Sequence, residues 1–209
     1  MVETLADAST WNKARLEALS DGIFAIAMTL LVLEIKVPDL PRHVPAHELW
    51  QAVLDHGFVF FSFLVTFLLA GLFWFWHHIS FHYIHRVNGP ILAINLVFLM
   101  FVSLLPYSTA MLGSFTLGQP VSLAMYFGNQ LALGLAMNAH WRYAQARGLV
   151  TSPASPIVRR FGASLLMQPI ACVAALATLF VNPRMAFNAF AIIQVAGGIL
   201  SRRSRRKRP

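Results

Sequence analysis

The residue of greatest chemical consequence in this chain is Asp21. It lies in the run Arg15-Leu-Glu-Ala-Leu-Ser-Asp-Gly-Ile-Phe-Ala-Ile-Ala-Met-Thr-Leu-Leu-Val-Leu-Glu-Ile35, one to two turns inside a segment otherwise apolar and long enough to cross a bilayer. A carboxylate at that depth is costly unless donors satisfy it, and intramembrane acids as a class mark functional positions. Other polar side chains fall at a comparable depth: Arg15 and Ser20 on the same segment, Trp76, His77 and His78 late in the next apolar segment, and Asn95 early in the third. Guanidinium, hydroxyl, indole, imidazole and amide groups all suit a carboxylate. These residues are therefore expected to form an interhelical polar clasp, which a histidine member would make pH-sensitive. A proton-transfer reading remains beside it, a proton-coupled transporter using Asp21 and His77.

Other chemistries are thinly supplied. His77, His78, His82 and His85 have helical spacings that allow a shared metal, but no Cys or acid stands near them, and an interfacial belt with Trp74, Trp76 and Tyr83 accounts for them. We expect no metal and no cofactor. All eight acids fall between Glu3 and Asp55, which leaves the later segments without a carboxylate pair for acid–base catalysis, so the chain is not expected to be an enzyme. Cys172 is alone, which excludes a disulfide framework and reads as a small buried hydrophobe.

These side chains must be positioned by membrane helices. With 57% apolar and 11% charged residues, the 209-residue chain is too poor in charge for a soluble domain, where about 25% is usual. Apolar windows at about 17–35, 57–79, 89–112, 120–141, 161–181 and 185–200 predict an all-α integral membrane protein of six transmembrane helices in one domain, with a basic tail at 202–209. No cleavable leader pattern precedes the first window, which is expected to be retained. If the N-terminus is cytoplasmic, thirteen of the sixteen Lys and Arg lie inside and only Lys36, Arg42 and Arg184 outside. The positive-inside rule thus favours both termini in the cytoplasm. The tail suits anionic lipid better than nucleic acid, because it directly follows a hydrophobic span. Three prolines in residues 36–45 forbid a continuous helix there, and residues 46–55 read as a surface helix carrying Trp50. Pro169 is expected to kink the fifth span.

On the first helix, Leu19, Ile23, Ile26, Leu30 and Leu33 recur at spacings of four and three. Such a seam suits contact with copies of the same helix or a narrow axis, and equally suits lipid. At about 100° per residue Asp21 points away from it, toward its own bundle. No Thr-Val-Gly-Tyr-Gly potassium filter and no nucleotide-binding glycine motif occur.

The run from Arg15 to Glu34 resembles the Arg-x-x-x-Phe-Ser-Asp signature of the transmembrane protein 175 family of potassium channels, with Leu19 in place of the usual Phe. Phe75-Trp76-His77-His78, Asn95-Leu96 and Leu104-Leu105-Pro106-Tyr107 match as well, so the distinctive part of the likeness covers roughly residues 12–113. The resemblance implies a potassium-preferring cation channel without a carbonyl filter, in which the first helices of four subunits surround the pore. A single repeat implies a prokaryotic homotetramer in the plasma membrane, with potassium as the permeant ion. It also implies a hydrophobic constriction at Ile26, Leu30 and Leu33, with Ile23 on the same seam, a role in cation preference for Thr29, and a structural network through Arg15, Ser20 and Asp21. A non-conducting membrane scaffold would share the same fold.

Overall fold

The computed structural model describes residues 12–115 and 117–206, with side chains as far as Gly198. The basic tail expected at 202–209 therefore lies outside the described side chains, and residues 207–209 lie outside the described residues altogether.

Helix α1 spans Lys13–Leu30. Asn12 starts it, its Oδ1 accepting from the backbone N–H groups of Ala14 at 3.0 Å and Arg15 at 3.4 Å. A 3₁₀ turn, Leu31–Glu34, continues it before the proline-bearing loop. Helix α2, Ala46–Asp55, has no buried residue and stands at the surface, as its sequence predicts. Helix α3 runs Gly57–Tyr83. Helix α4, Gly89–Ser103, is capped by Asn88, whose Oδ1 accepts from Ile91 N at 3.1 Å.

The third apolar window is two helices. Helix α4 stops at Leu104 and α5 runs Leu105–Ser114. Pro106 lacks the N–H that would bond the carbonyl of Val102, which ends the ladder there. Helix α6 is Pro120–Ala146. The fifth window begins earlier than its hydropathy suggests, because the amphipathic α7, Pro156–Leu165, carries Arg159 and Arg160 on an exposed face. Helix α8, Met167–Thr178, follows after a break at Leu166. Pro169 explains the break, since it cannot bond the carbonyl of Leu165. That carbonyl instead accepts from Asn138 Nδ2 of α6 at 2.8 Å. Helix α9, Ala186–Arg206, completes the chain after a 3₁₀ turn at Pro183–Met185.

Four helical stretches are apolar and long enough to cross a membrane by length and composition: Lys13–Glu34, Gly57–Tyr83, Gly89–Ser114 and Pro156–Thr178. Helix α6 is as long as α3 but more polar, and it is the most enclosed element. It contacts α4, α5 and α8, while α1 rests on α3 and α4 and α9 rests on α8. One buried cluster joins α1, α3, α4 and α6 through Phe24, Phe73, Phe98 and Trp141. A second joins α6, α8 and α9 through Tyr126, Phe127, Cys172 and Phe190. The loops after α3 and α6 meet at one end of the bundle, where Ile84 pairs with Val150, His85 N donates to Leu149 O at 3.0 Å and Thr151 N donates to Tyr83 O at 2.9 Å.

Candidate functional site

Helix α1 has two unlike faces. Leu16, Ser20, Phe24 and Ala27 are buried, as is Leu31 in the turn beyond. Leu19, Ile26, Leu30 and Leu33 are 44%, 60%, 42% and 69% exposed on the single chain, an apolar row that water does not favour. Ile23 is half-buried and packs against the inner cluster, so it sits at the edge of that row. Thr29 is exposed beside the row, with its hydroxyl turned back on the helix 3.0 Å from Ala25 O and 2.8 Å from Ile26 O. A hydroxyl has one proton, so its lone pairs stay available on the exposed side.

Behind the row, a buried polar chain crosses three helices. Ser20 Oγ donates to Leu16 O at 2.8 Å and accepts from Asn95 Nδ2 at 3.1 Å. Asn95 Oδ1 therefore faces His77, 2.8 Å from its Nε2, and that nitrogen must carry the proton. His77 lies flat against Phe98, ring centres 5.6 Å apart and 7° from parallel. The chain ties α1, α3 and α4 at one level with no unsatisfied atom in Ser20, Asn95 or the donating His77 nitrogen.

Asp21 is held separately. Its Oδ1 accepts from Trp74 Nε1 at 2.8 Å on the outer side of the contact between α1 and α3. The expected indole, Trp76, is not the partner. Two residues further along α3 it has turned about 200°, and it meets Phe73 edge-on at 5.7 Å. His78 reaches the site only by stacking on Trp74, ring centres 5.9 Å apart. Arg15 is exposed and makes no side-chain hydrogen bond or ion pair among the described residues. Of the expected clasp, then, Ser20, Asn95 and His77 form one unit, Asp21 with Trp74 and His78 forms another, and Arg15 and Trp76 join neither. Among the described residues no group of three His, Cys, Asp or Glu is arranged to hold a metal ion.

Sequence reasoning missed the polar residues of α6. Asn129, Gln130, Asn138 and His140 are all buried, and His140 stacks on Phe81 with ring centres 5.2 Å apart. Their signal was present: Gln130, Gly134, Asn138 and Trp141 repeat at helical spacing, which puts polar and bulky residues on one inward face.

Apolar helices long enough to cross a membrane, exposing hydrophobic side chains outward and tied by a buried polar chain within, define an all-α membrane protein. Residues 15–106 match the family model described as the endosomal/lysosomal potassium channel TMEM175. A Streptomyces collinus protein named a potassium channel is 36% identical over 76% of this chain and 80% of its own length. A Chamaesiphon minutus protein, also named a potassium channel, is 35% identical over 69% of this chain and 70% of its own. The crystal structure of a lysosomal potassium-selective channel TMEM175 homolog from Chamaesiphon minutus superposes with a TM-score of 0.77 at 28% identity, covering 90% of this chain and 97% of that one. The chain belongs to the TMEM175 family of ion channels, which are not enzymes.

Proposed function

We propose that this protein is a potassium-preferring cation channel of a prokaryotic plasma membrane, a homotetramer whose four copies of α1 surround the pore. The observation that carries the reading is the division of α1 into a buried face on its own bundle and an exposed apolar row at Ile26, Leu30 and Leu33. Four such rows around one axis form a constriction that excludes water and ions when narrow. A small rotation or dilation wets it and lets hydrated or partly dehydrated potassium pass. Thr29 supplies oxygen lone pairs next to the constriction and is the residue through which cation preference would act.

Six spans in one domain with both termini in the cytoplasm accord with the loop contact between Ile84 and Val150, because that contact sets the ends of α3 and α6 at the same side of the bundle. The basic residues follow the same division. The tail would meet anionic lipid, and no cofactor is required. A proton-coupled transporter built on Asp21 and His77 is less well supported, because Trp74 rather than His77 satisfies the carboxylate. Potassium uptake into liposomes holding the purified protein, with sodium in parallel, tests the proposal.

A further inference from the structure

A cavity of about 1140 Å³ lies between the second half of α3, α7 and α9, away from the exposed row of α1. Ligand cavities usually span about 300–1,000 Å³, so this one accommodates a large occupant. Its walls change character along their length. His82 of α3 and Arg160 of α7 stand near the end of the bundle where the two loops pair, with His78 one turn further in. Trp76, Phe161 and Met167 line much of the remainder, with Ser164 and Gln194 as its polar members. Among the described residues no carboxylate lines it, and the sequence has no Asp or Glu beyond Asp55. His78, His82 and Arg160 are exposed, so the cavity opens to the surface.

A basic mouth over an apolar well has the polarity of a phospholipid, headgroup at the membrane face and chain below it. Basic pockets between membrane helices on the cytoplasmic side suit anionic headgroups in particular. We infer that this cavity binds an anionic phospholipid of the inner leaflet, its phosphate at Arg160 and His82 and an acyl chain along Trp76, Phe161 and Met167. The leaflet assignment rests on the topology proposed above; the chemistry of the site does not.

Trp76 provides the reporter. Protein in vesicles is titrated with phosphatidylglycerol carrying brominated chains, and separately with brominated phosphatidylcholine, while tryptophan quenching is read. Preferential quenching by phosphatidylglycerol is expected, and Trp76→Phe should remove that preferential part. Arg160→Gln should weaken the preference roughly fivefold, the effect of one cation near an anionic surface. Ala163→Phe, which fills the cavity without changing charge, should lower quenching by both lipids. Equal quenching by the two lipids in the unmodified protein would overturn the inference. So would weak quenching by both, the sign of a neighbouring subunit covering the cavity, or a preference unchanged in Arg160→Gln. Quenching is read without ion flux, so a failed lipid site and a failed channel reading are separately visible.

Discussion

Trp74 and Asp21, 53 residues apart, are joined by a 2.8 Å hydrogen bond from indole Nε1 to carboxylate Oδ1. The bond lies outside the buried chain of Ser20, Asn95 and His77, so α1 is fastened to the bundle at two separate points. Fastening matters because the proposed gate is on the same helix, with Asp21 opposite it and Ser20 to one side. The two polar ties add directional constraints to the packing of Leu16, Phe24 and Ala27 and so help to define the positions α1 can occupy.

The outer tie should be modest in energy. Interhelical hydrogen bonds in a membrane protein average about 0.6 kcal/mol by double-mutant cycles. Asp21→Ala and Trp74→Phe should each lower thermal stability in detergent slightly, and the double variant should be no worse than the poorer single one. Full additivity would mean the two residues do not act together.

The inner tie should be stronger, because Ser20, Asn95 and His77 are all buried. Asn95→Leu removes the donor to Ser20 and the acceptor for His77 together. Leaving such groups unpaired costs about 1–3 kcal/mol. We expect a clear fall in unfolding temperature and in recovered oligomer. An unchanged unfolding temperature would argue against the tie.

Asn138 takes up a carbonyl that Pro169 leaves without its helical donor, bonding Leu165 O at 2.8 Å. Asn138→Leu should therefore destabilise by about 1–3 kcal/mol. Pro169→Ala restores an N–H for the same carbonyl, so adding it to Asn138→Leu should recover part of the loss. A double variant worse than Asn138→Leu alone would contradict this account of the break between α7 and α8.

Gly162 is fixed by contact rather than by backbone conformation. A Cβ there would lie 2.7 Å from Trp141 Nε1, and Trp141 is itself buried against Phe161. Gly162→Ala should cost about 1–3 kcal/mol as overpacking, while Gly128→Ala, where nothing stands within 4 Å, should be tolerated. Similar unfolding temperatures for the two would refute it.

Much of this was legible in the sequence because bilayer helices advertise their length and the signature around Ser20 and Asp21 is distinctive. Ser20, His77 and Asn95 could be grouped by depth alone. Depth does not resolve direction, however, and that is why Trp76 stood in for Trp74: both lie at the right level, and only helical phase against α1 separates them. The break at Leu104 was hidden because Pro106 sits within an uninterrupted apolar run. Helix α7 was missed as the start of its span because its two arginines lower the hydropathy without interrupting the helix. The buried amides and His140 of α6 escaped notice because a hydropathy window averages away polar residues that all share one face.

If the exposed row of α1 is the gate, potassium flux through Ile26→Asn beside the unmodified protein in liposomes will show it. The unmodified protein should pass potassium above the level of empty vesicles and above sodium, without need of a proton gradient, and Ile26→Asn should leak more as the constriction wets. Identical flux in the two proteins, or flux that saturates and requires a proton gradient, would contradict it.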